Sequence, residues 1–505
     1  MVHLNFFHLF GLYCLIVSVK GWFYGRPDPG LMTRGEVWPL PMNVTTFNNF
    51  THVINPATFQ FTTQLNCDIL QQAFIRYKKL TFPGYAQFKE QVLKQKSLKA
   101  TLTQLSVQVT KGCDSGYPQM GMDESYTIQL NPTSTSAVLK ANEVWGALRG
   151  LESFSQMVFK DSNNNWFVNT QTISDKPRFP HRGLLIDSSR HFLSVSILKR
   201  NLDLMAQNKM NVFHWHLTDS EAFPYASKRF PDLSAKGAYT PRHVYTQSQI
   251  QDIIAYARLR GIRVVPEFDT PGHTGAWGPG MPGLLSLCYD ENGQNTILSN
   301  LIDPTKDANW DFLTQFFDEA LNLFPDNYMH FGGDEVEYYM LWCWYRNSGI
   351  MNWMQQHGMG NDTTKLLNYF FQKLVPLVKA ARSNTTMIFW QEVLDLGVAP
   401  PSSIAHVWKG DTYDEVMSEM YQVTAAGHYA ILSSCWYLNY IKYGADWGYV
   451  DNSEIKQRGM YYECDPTAFG GSQAQNDLVL GGEAVLWSEF VDGTNLIPRL
   501  WHVFS

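Results

Sequence analysis

A short apolar strand runs into two adjacent carboxylates in the segment Tyr328-Met329-His330-Phe331-Gly332-Gly333-Asp334-Glu335. Neighbouring side chains on an extended strand point to opposite faces. Asp334 and Glu335 therefore serve one small substrate only if the backbone turns, which the glycine pair allows. Side-by-side carboxylates do not flank a scissile bond as an acid and a nucleophile do, which indicates a substrate that supplies its own nucleophile. A solvated acidic turn is the alternative for so short a motif.

The same order, a β-rich run and then polar or aromatic residues, recurs along the second part of the chain. Eight such runs alternate with longer helical patterns, at 184–187, 212–217, 263–268, 328–331, 387–390, 404–407, 430–432 and 478–480. They predict an α/β fold, a (β/α)8 TIM barrel over residues 176–505, whose chemistry collects where strands end. The candidate residues at those ends are Asp187, Arg190, Asp219, Asp269, His273, Asp334, Glu335, Trp390, Trp408, Tyr437 and Trp487.

The first part of the chain has a different pattern. Residues 101–109 alternate as a strand does, and apolar residues recur at helical spacing between Asn142 and Phe159. At 505 residues the chain is too long for one ordinary core. We therefore expect a small non-catalytic α+β domain over residues 22–175, with the boundary marked by two prolines that keep residues 174–180 extended.

The N-terminus predicts entry into the secretory pathway. An apolar run ends at Lys20-Gly21 and indicates a signal peptide over residues 1–21, with an uncleaved anchor as the alternative. No later apolar run has spanning length, so we expect no membrane span. Acceptor sequons for glycosylation agree with this route and stand at Asn43, Asn49, Asn361 and Asn384. The lysosome and the extracellular space are both open as destinations.

Charge excludes some classes of partner. Charged residues make up 17% of the chain and the net charge is -7, without a basic stripe. Nucleic acid and anionic membrane surfaces are therefore not expected partners.

Several segments, taken together, resemble the beta-N-acetylhexosaminidases of glycoside hydrolase family 20, and among them the animal lysosomal beta-hexosaminidase subunits. The Gly-Gly-Asp-Glu run is one of these segments. The matches follow in collinear order at 181–191, 214–219, 267–273, 330–336, 390–393, 436–439, 481–484 and 498–501.

The resemblance implies an exo-acting, retaining hydrolase that removes terminal beta-linked N-acetylglucosamine or N-acetylgalactosamine from glycoconjugates by substrate-assisted catalysis. It implies no metal or organic cofactor. Glu335 matches the general acid/base, for which we expect a pKa raised by Asp334 and by burial among tryptophans. Asp334 matches the residue that holds the 2-acetamido N–H, and Tyr437 matches the hydroxyl that grips its carbonyl oxygen.

Further matches concern binding of the sugar. Asp219 and His273 match a pair that positions the acid/base. The residues that match sugar-binding positions are Trp390, Trp408, Trp487, Arg190, Glu489 and Asn439. The alternative for each tryptophan is core packing, and for Arg190 a surface charge.

Two histidines allow a different enzyme class. His214 and His216 alternate onto one face of a strand, and with His273 they are candidate metal ligands. The structural alternative is that they are hydrogen-bonded groups filling the barrel interior, which we favour.

The resemblance also implies disulfides, and this chain departs from the family in places. It implies pairs Cys67–Cys113 and Cys288–Cys343, although residues 337–343 form a longer segment than in relatives and put the second bridge in doubt. The resemblance implies no partner for Cys435 or Cys464, and a free thiol at one or both positions is an open alternative. Ser220 replaces a frequent aspartate, and Tyr440 replaces the arginine that accompanies Asn439 in subunits accepting anionic sugars.

The C-terminal end is the largest departure. The chain stops soon after the eighth run, where the family continues with a last helix, so we expect apolar surface on the first and eighth strands to face water. The alternative function is a catalytically impaired sugar-binding paralogue or truncated isoform. Relatives form dimers, which makes a homodimer a possible assembly.

Overall fold

The computed structural model describes residues 34–85, 101–296, 299–399, 402–410, 412–440 and 460–501. The predicted signal peptide lies outside the described residues, as do the side chains of Asn49 and Tyr440.

An eight-stranded mixed sheet opens the described chain. Its strands are β1 (Asn43–Ile54), β2 (Gln60–Thr62), β3 (Thr101–Leu102), β4 (Gln104–Val109), β5 (Tyr126–Gln129), β6 (Ser136–Ala141), β7 (Val158–Lys160) and β8 (Trp166–Asp175). Their order is β2-β4-β6-β5-β8-β1-β3, and β7 pairs with β8. The helices α1 (Asp68–Thr81) and α2 (Val144–Met157) share one apolar core with this sheet.

Eight parallel strands then close a barrel, which confirms the predicted fold class. They are β9 (His181–Asp187), β10 (Val212–Thr218), β11 (Arg263–Phe268), β12 (Tyr328–His330), β13 (Thr386–Trp390), β14 (Ile404–Val407), β15 (Tyr429–Leu432) and β16 (Val479–Leu486). The barrel closes where β16 pairs with β9, from Gly481 opposite His181 to Leu486 opposite Ile186.

Helices surround the barrel strands in the described residues. They are α3 (Val195–Gln207), α4 (Asp232–Gly237), α5 (Gln247–Arg258), α6 (Asp307–Leu323), α7 (Leu341–Tyr345), α8 (Ser348–Gln356), α9 (Thr363–Ala381), α10 (Glu392–Asp395), α11 (Tyr413–Ala425), α12 (Met460–Glu463), α13 (Gln473–Asn476) and α14 (Leu496–Trp501). None of the helices in the described part is long and apolar enough to cross a membrane.

The eighth strand differs from its prediction. The sequence predicts it at 478–480, but β16 runs from Val479 to Leu486. A Cβ at Gly481 would overlap the His181 carbonyl oxygen, and one at Gly482 would overlap the Trp436 ring. The glycines are thus required by close packing inside the strand, and β16 carries Glu483 into the barrel interior.

The outward side chains of the first and eighth strands are covered. Leu184, Ile186, Ala484 and Leu486 are at most 4% exposed. They share a core with α3 and α14, and Trp501 Nε1 donates to Asn201 Oδ1 at 2.9 Å. The prediction that apolar surface on these strands faces water is therefore wrong for these residues. An apolar groove of about 400 Å³ lies beside them, lined in part by Phe179, Met210, Trp436 and Tyr461.

Buried charge joins the sheet to the barrel. Glu124 accepts from Arg149 Nε on α2 at 2.7 Å and from an Arg182 guanidinium nitrogen on β9 at 2.6 Å. Arg149 also donates to the carbonyl oxygen of Gly261 at 2.8 Å. Because α2 lies between sheet and barrel, nearly all its residues are buried.

Three disulfides are present. Cys67–Cys113 and Cys288–Cys343 confirm the implied pairs. The doubt about the second bridge is wrong, since Cys343 pairs with Cys288 and a π-helical turn, Val336–Met340, precedes it. Cys435 and Cys464 also pair with each other, which answers the open question of free thiols.

Candidate active site

The turn after β12 is built by its glycines. Gly332 and Gly333 have φ values of 71° and 97°, and a Cβ at Gly332 would overlap the Asp269 carboxylate. Gly333 N–H donates to Asp269 Oδ1 at 2.9 Å. Glu335 follows at φ 58°, also left-handed. The backbone reversal predicted from the sequence is present, and it directs both carboxylates into one site.

A histidine joins the two carboxylates. His273 Nε2 lies 3.4 Å from Glu335 Oε2 and 3.6 Å from Asp334 Oδ2. On its other side, His273 Nδ1 lies 3.2 Å from Asp219 Oδ1. The structure thus brings together all four sequence-predicted residues, with the histidine between the buried Asp219 and the pair.

Protonation of this group is set by its charges. Burial alone would lower the pKa of His273, but Asp219 and Asp334 outweigh it and hold that pKa well above its usual value. The close approach of the His273 ring, 3.4 Å from Glu335 Oε2, lowers the pKa of Glu335 against the opposing effect of partial burial. The expected raised pKa of Glu335 is therefore wrong in this site without substrate, because the sequence did not reveal how near the histidine lies.

Asp334 has a second carboxyl beside it. Burial, and then the charge of Asp334, raise the pKa of Asp269 well above its usual range. The raised pKa favours a neutral Asp269, whose Oδ1 supports the turn by accepting from the N–H of Gly333, the residue before Asp334.

Aromatic residues form one wall of the site. Trp390, Trp408, Tyr437 and Trp487 share one small cluster with Leu185 and Val485. Trp408 stacks on Tyr437 with ring centroids 5.9 Å apart, and Trp390 lies 5.9 Å from Trp487. Since these side chains come from the ends of different barrel strands, their grouping favours a pocket wall over separate core packing.

Two of the indole N–H groups are turned away from the pocket. Trp390 Nε1 donates to Glu267 Oε1 at 2.8 Å, and Trp408 Nε1 donates to Glu392 Oε2 at 2.9 Å. Each buried carboxylate fixes the orientation of its ring. Trp390 is 1% exposed and stacks on His406 with ring centroids 4.3 Å apart, so it supports the wall from the barrel interior, whereas Trp408 is partly exposed.

Arg190 is more heavily paired than expected. Its guanidinium contacts Asp219 at 2.7 Å, Asp187 at 3.2 Å and Glu221 at 3.2 Å, and lies 5.1 Å from the Trp487 ring centroid. The surface-charge alternative is wrong, because only 13% of the side chain is exposed. Sequence reasoning missed Glu221, whose carboxylate is half exposed at the rim.

Two further predicted residues lie nearby. Glu489 is exposed and contributes to the field that raises the pKa of Arg190. Asn439 is half-buried, and its Oδ1 finds no hydrogen-bond partner within the described residues.

Below the site, the barrel interior holds buried carboxylates paired with histidines. His214 lies between Glu483 Oε1 at 2.6 Å and Glu267 Oε2 at 3.0 Å. His216 lies between Glu267 at 2.6 Å and Asp219 at 2.9 Å. This agrees with the structural interpretation of the two histidines. Glu267 and Glu483 were overlooked, although both stand in motifs that the sequence offers.

Some buried side chains of the barrel lie close enough together to hold a metal ion. Ligand atoms of His214, His330 and Glu267 approach within 4.8 Å of one another, as do those of His214, His406 and Glu483. The proposed trio His214, His216 and His273 is not among the groups found in the described residues.

The chain is similar to known glycoside hydrolases. A family model described as "Glycosyl hydrolase family 20, catalytic domain" matches residues 179–503, and one described as "beta-acetyl hexosaminidase like" matches residues 37–157. Beta-hexosaminidase A of Caenorhabditis elegans is 45% identical over 493 residues, with 97% of this chain and 87% of that protein covered. Beta-hexosaminidase subunit beta of Homo sapiens is 45% identical over 484 residues, which cover 94% and 82%.

A solved structure resembles the whole fold. The chitobiase of Flavobacterium johnsoniae superposes with a TM-score of 0.73 at 28% identity, covering 93% of this chain and 68% of that one. Sheet and barrel are therefore similar to those of an enzyme known in atomic detail.

Proposed function

Because the chain belongs to glycosyl hydrolase family 20 and is a beta-N-acetylhexosaminidase, we propose that it removes terminal beta-linked N-acetylglucosamine and N-acetylgalactosamine with retention of configuration. In this mechanism the substrate's acetamido oxygen attacks the anomeric carbon. One observation carries the proposal: Asp334 and Glu335 stand side by side on one turn, with His273 within 3.6 Å of both. That arrangement suits an assisting aspartate and a proton-transferring glutamate.

Asp334 accepts a hydrogen bond from the acetamido N–H. Its negative charge stabilises the positive charge that develops on the oxazolinium-like intermediate. Asp269 supports the turn that carries this carboxylate, because its Oδ1 accepts from the N–H of Gly333. Tyr437 donates to the acetamido oxygen, and its stacking on Trp408 fixes the ring. Trp390, Trp408 and Trp487 enclose the sugar, and Arg190, Glu489 and Asn439 bind its outer hydroxyls.

Glu335 moves the proton. His273, whose pKa is raised well above its usual value, carries a proton with its Nε2 3.4 Å from Glu335 Oε2. Substrate excludes water and desolvates Glu335, which raises its pKa, so the proton passes to Glu335 and then to the leaving glycosidic oxygen. The ionised Glu335 next removes a proton from the water that opens the intermediate. No step in this scheme uses a metal or an organic cofactor.

The proposed domain organisation and cellular destination are those that the sequence predicts. We propose a domain over residues 22–175 that supports a catalytic domain over residues 176–505, after removal of residues 1–21. Asn43, Asn361 and Asn384 are exposed, which supports glycosylation in the secretory pathway. The destination is the lysosome or the extracellular space, and the homodimer stays a prediction.

An assay with chromogenic N-acetyl-beta-D-glucosaminide and N-acetyl-beta-D-galactosaminide tests the proposal. We expect turnover of both, and no turnover of the matched glucoside that lacks the acetamido group. Proton NMR of the first product should show the beta anomer. An alpha anomer, or efficient glucoside hydrolysis, would exclude the assisted mechanism, and binding without turnover would favour a sugar-binding paralogue.

A further inference from the structure

We propose that Glu392, which lies behind the pocket wall, is a positioning residue that fixes the catalytic turn and Trp408 relative to each other. The inference deepens the proposed function and rests on it. Glu392 begins α10, directly after β13, and is 3% exposed. It contacts the site residues from behind and does not line the space where the sugar binds.

The two oxygens of this carboxylate hold two parts of the site. Oε1 accepts from the backbone N–H of Glu335 at 3.3 Å, and Oε2 accepts from Trp408 Nε1 at 2.9 Å. Glu335 belongs to the turn after β12, whereas Trp408 follows β14. One side chain at the end of β13 therefore links the loops of both neighbouring strands.

The link acts on a backbone that needs support. Glu335 has a left-handed φ of 58°, which a residue with a side chain rarely adopts unless its surroundings hold it there. The hydrogen bond from its N–H to Glu392 fixes the start of the π-helical turn. Since Glu335 transfers the proton, a shift of this backbone changes the distance of its carboxylate from the glycosidic oxygen.

Lys409 provides a positive charge beside the carboxylate of Glu392. Burial, and then the charge of Asp334, raise its pKa, and Lys409 Nζ lies 2.8 Å from Oε1. The preceding Gln391 accepts from the backbone N–H groups of Trp408 and Lys409 at 2.9 and 2.8 Å. Both side chains thus hold the same loop, which makes Glu392 part of a built support and not an isolated buried acid.

The test compares two substrates that differ in their need for acid catalysis. An aryl glycoside with a good leaving group needs little proton donation, whereas a beta-1,4-linked disaccharide of N-acetylglucosamine needs it fully. Glu392→Ala should lower kcat for the disaccharide about 100-fold and for the aryl glycoside about tenfold, since displacement of a catalytic group by about 1 Å costs that much. Glu392→Gln keeps one acceptor oxygen and should recover part of the loss.

The control is Glu152→Ala, which removes an equally buried glutamate from α2, far along the chain from the site. It should lower the melting temperature and leave kcat of the folded fraction unchanged on both substrates. Equal losses on both substrates for Glu392→Ala would overturn the inference while leaving the proposed function standing. Should Glu392→Ala not fold, wild-type kcat values in Glu392→Gln on both substrates would overturn it as well. Failure of the wild type on every N-acetylhexosaminide would instead reject the proposed function.

Discussion

At the residue scale, Glu335 carries the proton transfer and can be isolated from binding. Glu335→Gln keeps the size and hydrogen-bonding groups of the side chain but removes its ability to donate and accept the proton. We expect kcat to fall by about 10²- to 10⁴-fold, with substrate affinity changed little. Steady-state kinetics with isothermal titration of a product sugar measure both quantities, and wild-type turnover in this variant would remove Glu335 from its assigned role.

His273 controls the pKa of that glutamate. The approach of its ring to Glu335 Oε2 is the largest cause of the lowered pKa of Glu335, and partial burial opposes it. His273→Gln removes the positive charge, so the pKa of Glu335 should rise and the limb of the kcat/KM profile that reports it should move to higher pH. A profile with an unmoved limb would show that another group sets it. His357→Gln, which changes an exposed histidine at the end of α8, serves as the matched control.

Residue identities in this site were largely predictable, but their protonation was not. The run Gly332-Gly333-Asp334-Glu335 indicates a turn because glycine adopts positive φ values without steric cost. The pKa of Glu335 depends on a distance to His273, and the two residues lie 62 positions apart in sequence. Asp269 and Glu392 stand in recognisable motifs, yet their roles follow only from which atoms they contact.

At the element scale, β10, β11 and β16 carry a buried charge network inside the barrel. Glu267 accepts from His216 Nδ1 and from Trp390 Nε1 and faces His214 and His330. Glu267→Gln leaves positive histidines without their counter-charge. Loss of one partner of a buried pair costs about 3–5 kcal/mol, and we expect a decrease of that size in the free energy of unfolding.

Denaturant unfolding followed by tryptophan fluorescence measures this change. The matched control is Asp232→Asn, which removes an exposed partner of Lys236 on α4. That loss should stay within about 1 kcal/mol, since exposed ion pairs contribute little. Equal effects of the two substitutions would contradict the network's contribution to stability.

Some features of the barrel elements were predicted from the sequence and others were not. Short β-rich runs located the barrel strands, because strands such as β10 and β11 are buried on both sides. The length of β16 was missed, since Gly481 and Gly482 resemble a strand end in sequence but occupy positions of close packing. The Cys435–Cys464 pair was missed for a related reason: the approach of two loops 29 residues apart is a tertiary property.

At the scale of the whole molecule, these buried pairs make stability depend on pH. Burial would lower the pKa of His214, but Glu483 and Glu267 outweigh it and raise the pKa to about 9. The pKa of His216 is likewise raised well above its usual value, against burial, by Glu267 and Asp219. A raised folded-state pKa gives stability that is complete below the unfolded value of about 6.5 and is lost as pH rises through the folded value.

Buried glutamates and further histidines make stability depend on pH below neutrality. Burial raises the pKa values of Glu267 and Glu483, but neighbouring histidines outweigh it and lower both well below the usual range. Their contribution is complete above about 4.5 and is lost as pH falls through the folded values. Burial lowers the pKa values of His181, His330 and His406, so protonation of the unfolded chain opposes folding below about 6.5.

The free energy of unfolding should therefore be greatest near pH 6 to 7, and should fall steadily towards about pH 9, where His214 loses its proton. Chemical denaturation at a series of pH values measures the curve. His214→Asn removes one titrating group, so its curve should be lower but should decline less between pH 7 and 9. An equal decline in both proteins would show that the alkaline loss arises elsewhere.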